Sequence, residues 1–273
     1  MGGDGNGAPA SVESTNVAPT TGASSPSLDV DYMSYVSHEL SAPLTAMRWS
    51  TALLQSAKMT KPLDPDQLKL ADEIMVGVNR MSLLVDDIHE SSWLERGKFA
   101  DQPSPISLAD VIANVQAKQQ AAIDGKKLVF TVTIDPTLPP LTVRPSTITL
   151  VVQNLLSNAV KYTPAGGSVT VQVRIPTEAE AAKLGKPAAG CVLLSLADTG
   201  MGIPADQQQL VFSRFFRASN VREQDLEGTG LGLYIVSLGV KSMGGAIWFQ
   251  SVEQQGSTFY VLLPLKNAAD EVH

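Results

Sequence analysis

This chain of 273 residues has a single cysteine, Cys191. No internal disulfide can form, so stability must come from packed cores, as suits a reducing compartment. No run of about 18 apolar residues occurs, so nothing reads as a bilayer-spanning helix. There is no dense block of Lys or Arg, and the net charge is −7. Both facts argue against nucleic acid and against an anionic membrane surface as partners. The start lacks the basic residues and apolar centre of a signal peptide. Residues 1–27 are Gly, Ala, Ser, Thr and Pro with almost no large apolar side chain, which predicts a disordered leader. The expected location is cytoplasmic, with any membrane tether of the intact protein outside this segment. Beyond residue 27 the balance changes. At 44% hydrophobic and 17% charged overall, the chain has the composition of globular cores and the length for two domains.

The first organised stretch, residues 28–97, reads as a helical hairpin. Met33, Val36, Leu40, Leu44, Met47 and Leu54 recur at helical spacing along one face. His38 lies nearly opposite that stripe and should face water; Glu39 flanks it. Taken alone, His38 also fits an ordinary surface histidine. Pro43 cannot donate to the carbonyl of Glu39, so a bend is expected there. After a break at Lys61-Pro62-Leu63-Asp64-Pro65, Asp64 can cap a second helix with Pro65 at its first position. Ile74, Val78, Met81, Val85 and Ile88 then form a narrow seam running to about Arg96. Two such helices bury too little by themselves. A second copy completes a four-helix bundle as a homodimer; packing on the chain's own second domain is the alternative.

Residues 98–106 read as a polar, Pro-containing linker, and 107–266 as a second domain followed by a tail over 267–273. In that domain helix and strand patterns alternate. Helices are predicted over 108–123, 146–162 and 231–243, and strands over 128–134, 168–175, 191–197, 246–252 and 257–263. Pro176 to Gly190 looks like a surface insertion. The order predicts an α+β sandwich, a mostly antiparallel sheet with helices on one face.

Four clusters there could carry chemistry. Asn154 and Asn158 share one helix face, with Lys161 and Tyr162 just beyond: an amide oxygen can ligate Mg²⁺ and a lysine can offset phosphate charge. Asp198-Thr199-Gly200-Met201-Gly202 follows a buried strand, where glycines permit close approach of a ligand and Asp198 can accept from a base amine. Phe212-Ser213-Arg214-Phe215-Phe216-Arg217 pairs aromatic anchors with arginines. Gly228-Thr229-Gly230-Leu231-Gly232 opens a helix, where backbone N–H groups favour phosphate. It follows a polar, lid-like stretch over 222–227 rather than a strand, which disfavours a dinucleotide fold. Each cluster alone also admits a plain structural reading.

In this order, over roughly residues 28–265, the chain resembles the catalytic core of sensor histidine kinases. His38-Glu39-Leu40 with Pro43 is similar to the phosphoacceptor box, and the Asn158 segment to the N box. The two glycine clusters match the family's glycine boxes, Phe212–Phe216 its F box, and Gly256-Ser257-Thr258-Phe259 its closing strand motif. The resemblance implies a Bergerat-type ATP fold, shared with gyrase-like and Hsp90-like ATPases. It implies autophosphorylation of His38 by ATP, oriented by Glu39, followed by transfer to an aspartate of a response regulator receiver domain. By the same resemblance Asn158 would ligate Mg²⁺, with Asn154 nearby, and Lys161 and Arg217 would offset phosphoryl charge. Asp198 would hold the adenine amine, Tyr162 would line the base pocket, and Thr258 would support Asp198. Gly200, Gly202, Gly228, Thr229, Gly230, Leu231 and Gly232 would shape the nucleotide site. Two departures from pattern matter. Hydrolytic relatives carry a general-base glutamate where this chain has Asn154. Many kinases of the family have Thr or Asn where this chain has Ala42, so weak phosphatase activity is expected. A Bergerat-fold ATPase and an ATP-binding scaffold without phosphotransfer stand as the alternatives.

Overall fold

A computed structural model describes residues 27–56, 63–97, 99, 101–223 and 228–265, with side chains from Leu40 onward and that of Glu223 excepted. The leader up to residue 26, the tail over 267–273, Lys61-Pro62 and residues 224–227 of the lid-like stretch lie outside the described residues, as do the side chains of Met33, Val36, His38 and Glu39.

Helix α1 spans Ser27–Gln55 and continues through Pro43. Helix α2 spans Pro65–Glu95. Its start is the one expected, and it is closed by a capping box: Gln67 N–H donates to Asp64 Oδ1 at 2.9 Å, and Asp64 N–H donates to Gln67 Oε1 at 3.1 Å. The hairpin buries Leu44, Val78 and Val85 as one cluster, each contributing about 1.5–3 kcal/mol of burial. Much of the predicted seam stays open: Leu40 is 45%, Met47 47%, Ile74 53% and Met81 45% exposed. The hairpin thus covers a single line of contacts and leaves a second apolar surface uncovered.

The second domain begins within the stretch read as linker. Strand β1, Ser104–Ile106, pairs antiparallel with β3, Leu141–Val143, in a two-stranded sheet. Between them lie helix α3 (Leu108–Gly125), capped by Ser107, and strand β2 (Val129–Ile134). Helix α4 spans Pro145–Tyr162. Its own N-cap residue, Arg144, makes no side-chain cap bond. Asp101 supplies the cap from outside, accepting from Ser146 N–H and Ser146 Oγ at 2.7 Å each.

Strands β4 (Ser168–Arg174), β5 (Cys191–Asp198), β6 (Ala246–Val252) and β7 (Gly256–Pro264) join β2 in a five-stranded sheet of order β2-β4-β5-β7-β6. All pairs are antiparallel except β2 with β4, which α4 connects as a crossover. Helices α3, α4 and α7 (Gly232–Ser242) cover one face of the sheet and share its main core. The other face is covered in part by the 176–190 insertion, which contains a short helix α5 (Glu178–Ala181). Leu184 packs there on Cys191, Leu193, Trp248 and Leu262. The insertion is pinned by a two-pronged Arg174–Glu180 ion pair at 2.8 and 2.9 Å, whose hydrogen bonds hold the Glu180 carboxyl down to about 2. The expected α+β sandwich is therefore present, with one parallel pair and a partly covered outer face. Short helix α6 (Ser219–Glu223) precedes the glycine-rich loop that leads into α7.

Candidate functional site

A cavity of about 400 Å³ opens where α4, the end of β5, the segment before α6 and the start of α7 meet. Asn154, Asn158, Lys161 and Tyr162 line it from α4. Apolar Val151, Val152, Leu156 and Val160 are buried away from the cavity, so amphipathicity turns the polar face of that helix toward it. The helix end that carries Lys161 and Tyr162 is fixed by Lys126. Its ammonium donates to the carbonyls of Val160 at 2.8 Å, Lys161 at 2.7 Å and Thr163 at 3.0 Å, satisfying groups a helix C-terminus leaves unpaired.

Asp198 enters from the last position of β5. Burial raises its carboxyl above the usual range, while N–H bonds from Gly200 and Ser257 act against that rise. The Gly200 bond is 2.8 Å. Gly202, at φ +62°, passes so close to the next hairpin that a Cβ would stand 2.1 Å from the Val252 carbonyl oxygen. Asn220 Nδ2 donates to the Gly202 carbonyl at 3.0 Å and fixes this turn from α6.

Phe216, Arg217 and Ala218 form a further wall, while Phe212 packs edge-on against Phe249 at 5.8 Å and joins the core. Gly228, Thr229, Gly230 and Gly232 bring backbone to the rim. At Gly232 a Cβ would lie 2.7 Å from Asn154 Oδ1, so a side chain there would press on that carboxamide. Leu231 itself turns away and is 1% exposed; its N–H donates to Thr229 Oγ1 at 3.2 Å.

Most of the expected nucleotide-site residues are thus assembled in one place, with three exceptions: Gly200, Leu231 and Thr258 do not line the cavity. Leu231 serves the core. Thr258 pairs with Ala197 in the ladder and does not line the cavity. Ser257, one residue earlier, stands opposite Asp198 in the ladder and donates its backbone N–H to the carboxylate. The backbone of α1 carries His38 and Glu39, but their side chains lie outside the described residues. Among the lining residues that were not foreseen, Leu83 and Asp87 come from outside the second domain, both from α2. Their contribution depends on how the hairpin docks, which no local pattern reports.

Chemically, the cavity offers a half-buried carboxylate for an amine at one end. At the other it offers a lysine, a carboxamide oxygen and a helix start suited to anions. No cluster of three His, Cys, Asp or Glu side chains that could hold a metal exists among the described residues. A single carboxamide fits Mg²⁺ of the kind that keeps waters and leans on substrate phosphates. No helix of the described residues is long and apolar enough to cross a membrane.

Residues 144–267 match the family described as histidine kinase-, DNA gyrase B-, and HSP90-like ATPase, and residues 30–97 match the His Kinase A (phospho-acceptor) domain. The adaptive-response sensory kinase SasA of Synechocystis is 30% identical over 237 residues, 85% of this chain and 58% of that protein. The sensor histidine kinase WalK of Bacillus subtilis is 30% identical over 242 residues, 88% of this chain and 37% of that one. This chain therefore spans less than three fifths of their length. The fold is also that of full-length ShkA, crystallised in complex with AMPPNP, at TM-score 0.67 and 23% identity over 87% of this chain and 46% of that one. The Acinetobacter baumannii histidine kinase AdeS gives TM-score 0.56 at 22% identity, covering 84% of this chain and 98% of that one.

Proposed function

The chain belongs to the sensor histidine kinases and holds their paired phosphoacceptor and ATPase domains; on that premise we propose that it autophosphorylates His38 from ATP and passes the phosphoryl group to an aspartate of a response regulator receiver domain. The observation that carries the reading is the convergence of Asn158, Lys161 and Asp198 on one cavity rimmed by Gly228–Gly232.

In this reading Asp198 accepts from the adenine amine, and Tyr162 and Phe216 flank the base. The start of α7, with Lys161 and Arg217, holds the phosphates and offsets charge on the transferring group. Asn158 would hold Mg²⁺, which would supply positive charge against the phosphates; Asn154 stands beside it. His38 acts as a neutral imidazole, the form its ordinary pKa of about 6.5 favours at cellular pH. A ring nitrogen forms the N–P bond as the bond from the γ-phosphorus to its bridging oxygen breaks and ADP leaves. Glu39 takes the proton from the other ring nitrogen.

The exposed Leu40, Met47, Ile74 and Met81 support a homodimer in which two hairpins form a four-helix bundle. Asn154 disfavours the hydrolytic reading. It lines the cavity where a general base for water would stand, and a carboxamide accepts no proton. Incubation with γ-labelled ATP tests the proposal. Acid-labile, base-stable label on the protein, absent from His38→Gln, is the expected result. Free phosphate alone would favour the ATPase, and bound nucleotide without turnover the scaffold.

A further inference from the structure

Helix α2 belongs to the phosphoacceptor hairpin, yet two of its side chains help form the wall of the ATPase-domain cavity. Leu83 and Asp87 line it together with Lys161, Gly228, Thr229 and Gly230. Asp87 accepts a hydrogen bond from Thr229 Oγ1, the only hydroxyl in the second glycine box. The same oxygen accepts from Leu231 N–H at the entry to α7. An acidic side chain thus sits at the mouth of a loop whose backbone and helix start favour an anion.

The placement is costly to the carboxylate. Burial raises its pKa most; the Thr229 bond opposes that rise, and neighbouring Asp86 adds to it. Its contact is also not isolated. Two turns further along α2, Glu95 accepts from Tyr234 of α7 at 2.6 Å and from Arg214 at 2.5 Å. The helix is therefore fastened to the catalytic domain at two points, and only the Asp87 point lies inside the cavity.

We propose that Asp87 occupies the phosphate end of this site as an internal competitor: its carboxylate holds the Thr229 loop, and the phosphates of the nucleotide displace it, releasing α2 from the catalytic domain. The inference rests on the ATP reading above and adds a residue of the phosphoacceptor hairpin to the nucleotide site. Two negative groups cannot share the few ångströms around Thr229 without repulsion, so docking of α2 and phosphate binding are reciprocal. The competition depends on phosphate charge and not on the base, which lies at the Asp198 end.

The full chain, its Asp87→Asn variant and its Asp87→Ala variant are titrated by calorimetry with AMPPNP plus Mg²⁺, and separately with adenosine. Both substitutions should tighten AMPPNP about tenfold, the scale of one like-charge contact near a surface, and leave adenosine within about twofold. Small-angle scattering adds an independent readout. AMPPNP should expand the parent, and Asp87→Ala should be expanded without it. Equal AMPPNP affinity in parent and variants overturns the inference while leaving the ATP reading intact. Equal tightening of adenosine overturns it too, since the effect would then not act through phosphate. Failure of parent and variants alike to bind either compound overturns the ATP reading and this inference with it.

Discussion

Glu95 and Tyr234 lie in different domains and are joined by a 2.6 Å hydrogen bond from the tyrosine hydroxyl to Glu95 Oε1. Arg214 reaches the same oxygen at 2.5 Å, with its guanidinium 5.1 Å from the centre of the Tyr234 ring. The end of the phosphoacceptor hairpin is thus tied to α7 and to the aromatic segment before α6 by one largely buried carboxylate. Glu95→Ala should cost about 1–3 kcal/mol of coupling between the domains. Calorimetry should show the two domains melting further apart in the variant; unchanged overlap of the transitions would show that this contact carries no coupling.

Asp198→Ala should weaken ATP binding by roughly ten- to a hundredfold, the loss of a hydrogen bond to a charged group. It should also erase the preference for ATP over GTP. Competition between the two nucleotides, measured on the parent and the variant, checks this. An unchanged preference would remove Asp198 from the base pocket.

Ala42 is exposed, one turn along α1 from His38. A methyl group cannot position water, so the parent should dephosphorylate its regulator poorly. Ala42→Thr should raise the loss of phosphoryl-aspartate severalfold in the presence of ADP and change His38 labelling little. Equal, rapid loss with both proteins would mean that another group positions the water.

Met47 is 47% exposed on a hairpin whose other apolar seam is already filled. Met47→Glu should shift the chain from dimer to monomer at micromolar concentration by sedimentation, while helicity is largely kept. A parent that sediments as a monomer would contradict the bundle.

Glu90 on α2 titrates at about 7, pushed up first by burial and then by the charges of Asp87 and Asp86. A carboxyl raised in the folded state favours folding while protonated, and that advantage fades as pH rises from about 4.5 to 7. Glu90→Gln cannot ionise. Its stability relative to the parent should therefore grow across that window, by about 1–2 kcal/mol once solvent access to the carboxyl is allowed for. Parallel melting curves for the two proteins from pH 5 to 8 would show that Glu90 titrates normally.

The long elements were legible because each announces itself locally. The Asp64-Pro65 start, the Ser107 cap and the apolar run from Cys191 all became the expected elements. What escaped depends on partners far away in sequence. Ser104–Ile106 carries a proline and reads as linker, yet it is a strand because Leu141–Val143 comes to pair with it. The β2–β4 pair is parallel because α4 returns the chain across the sheet. In the cavity, Asp198, Asn158 and the glycine loop could be named from their motifs. The bond from Ser257 to Asp198 is made by backbone and set by the register of β5 on β7, which no side-chain motif reports. Asp87 and Leu83 carry no local signal, since only the docking of α2 brings them to the site.

The cap that Asp101 places on α4 also sets a leash. Asp101 is fastened to the catalytic domain through Ser146, and Arg96 closes the last turn of α2. Only the peptide between them can pay out. At no more than about 3.6 Å per residue, that span reaches roughly 18 Å. A catalytic domain freed from Glu95 and Asp87 can therefore swing about the end of its own hairpin but cannot roam. The histidine it meets must lie within that tether plus the distance from Asp101 to the nucleotide cavity.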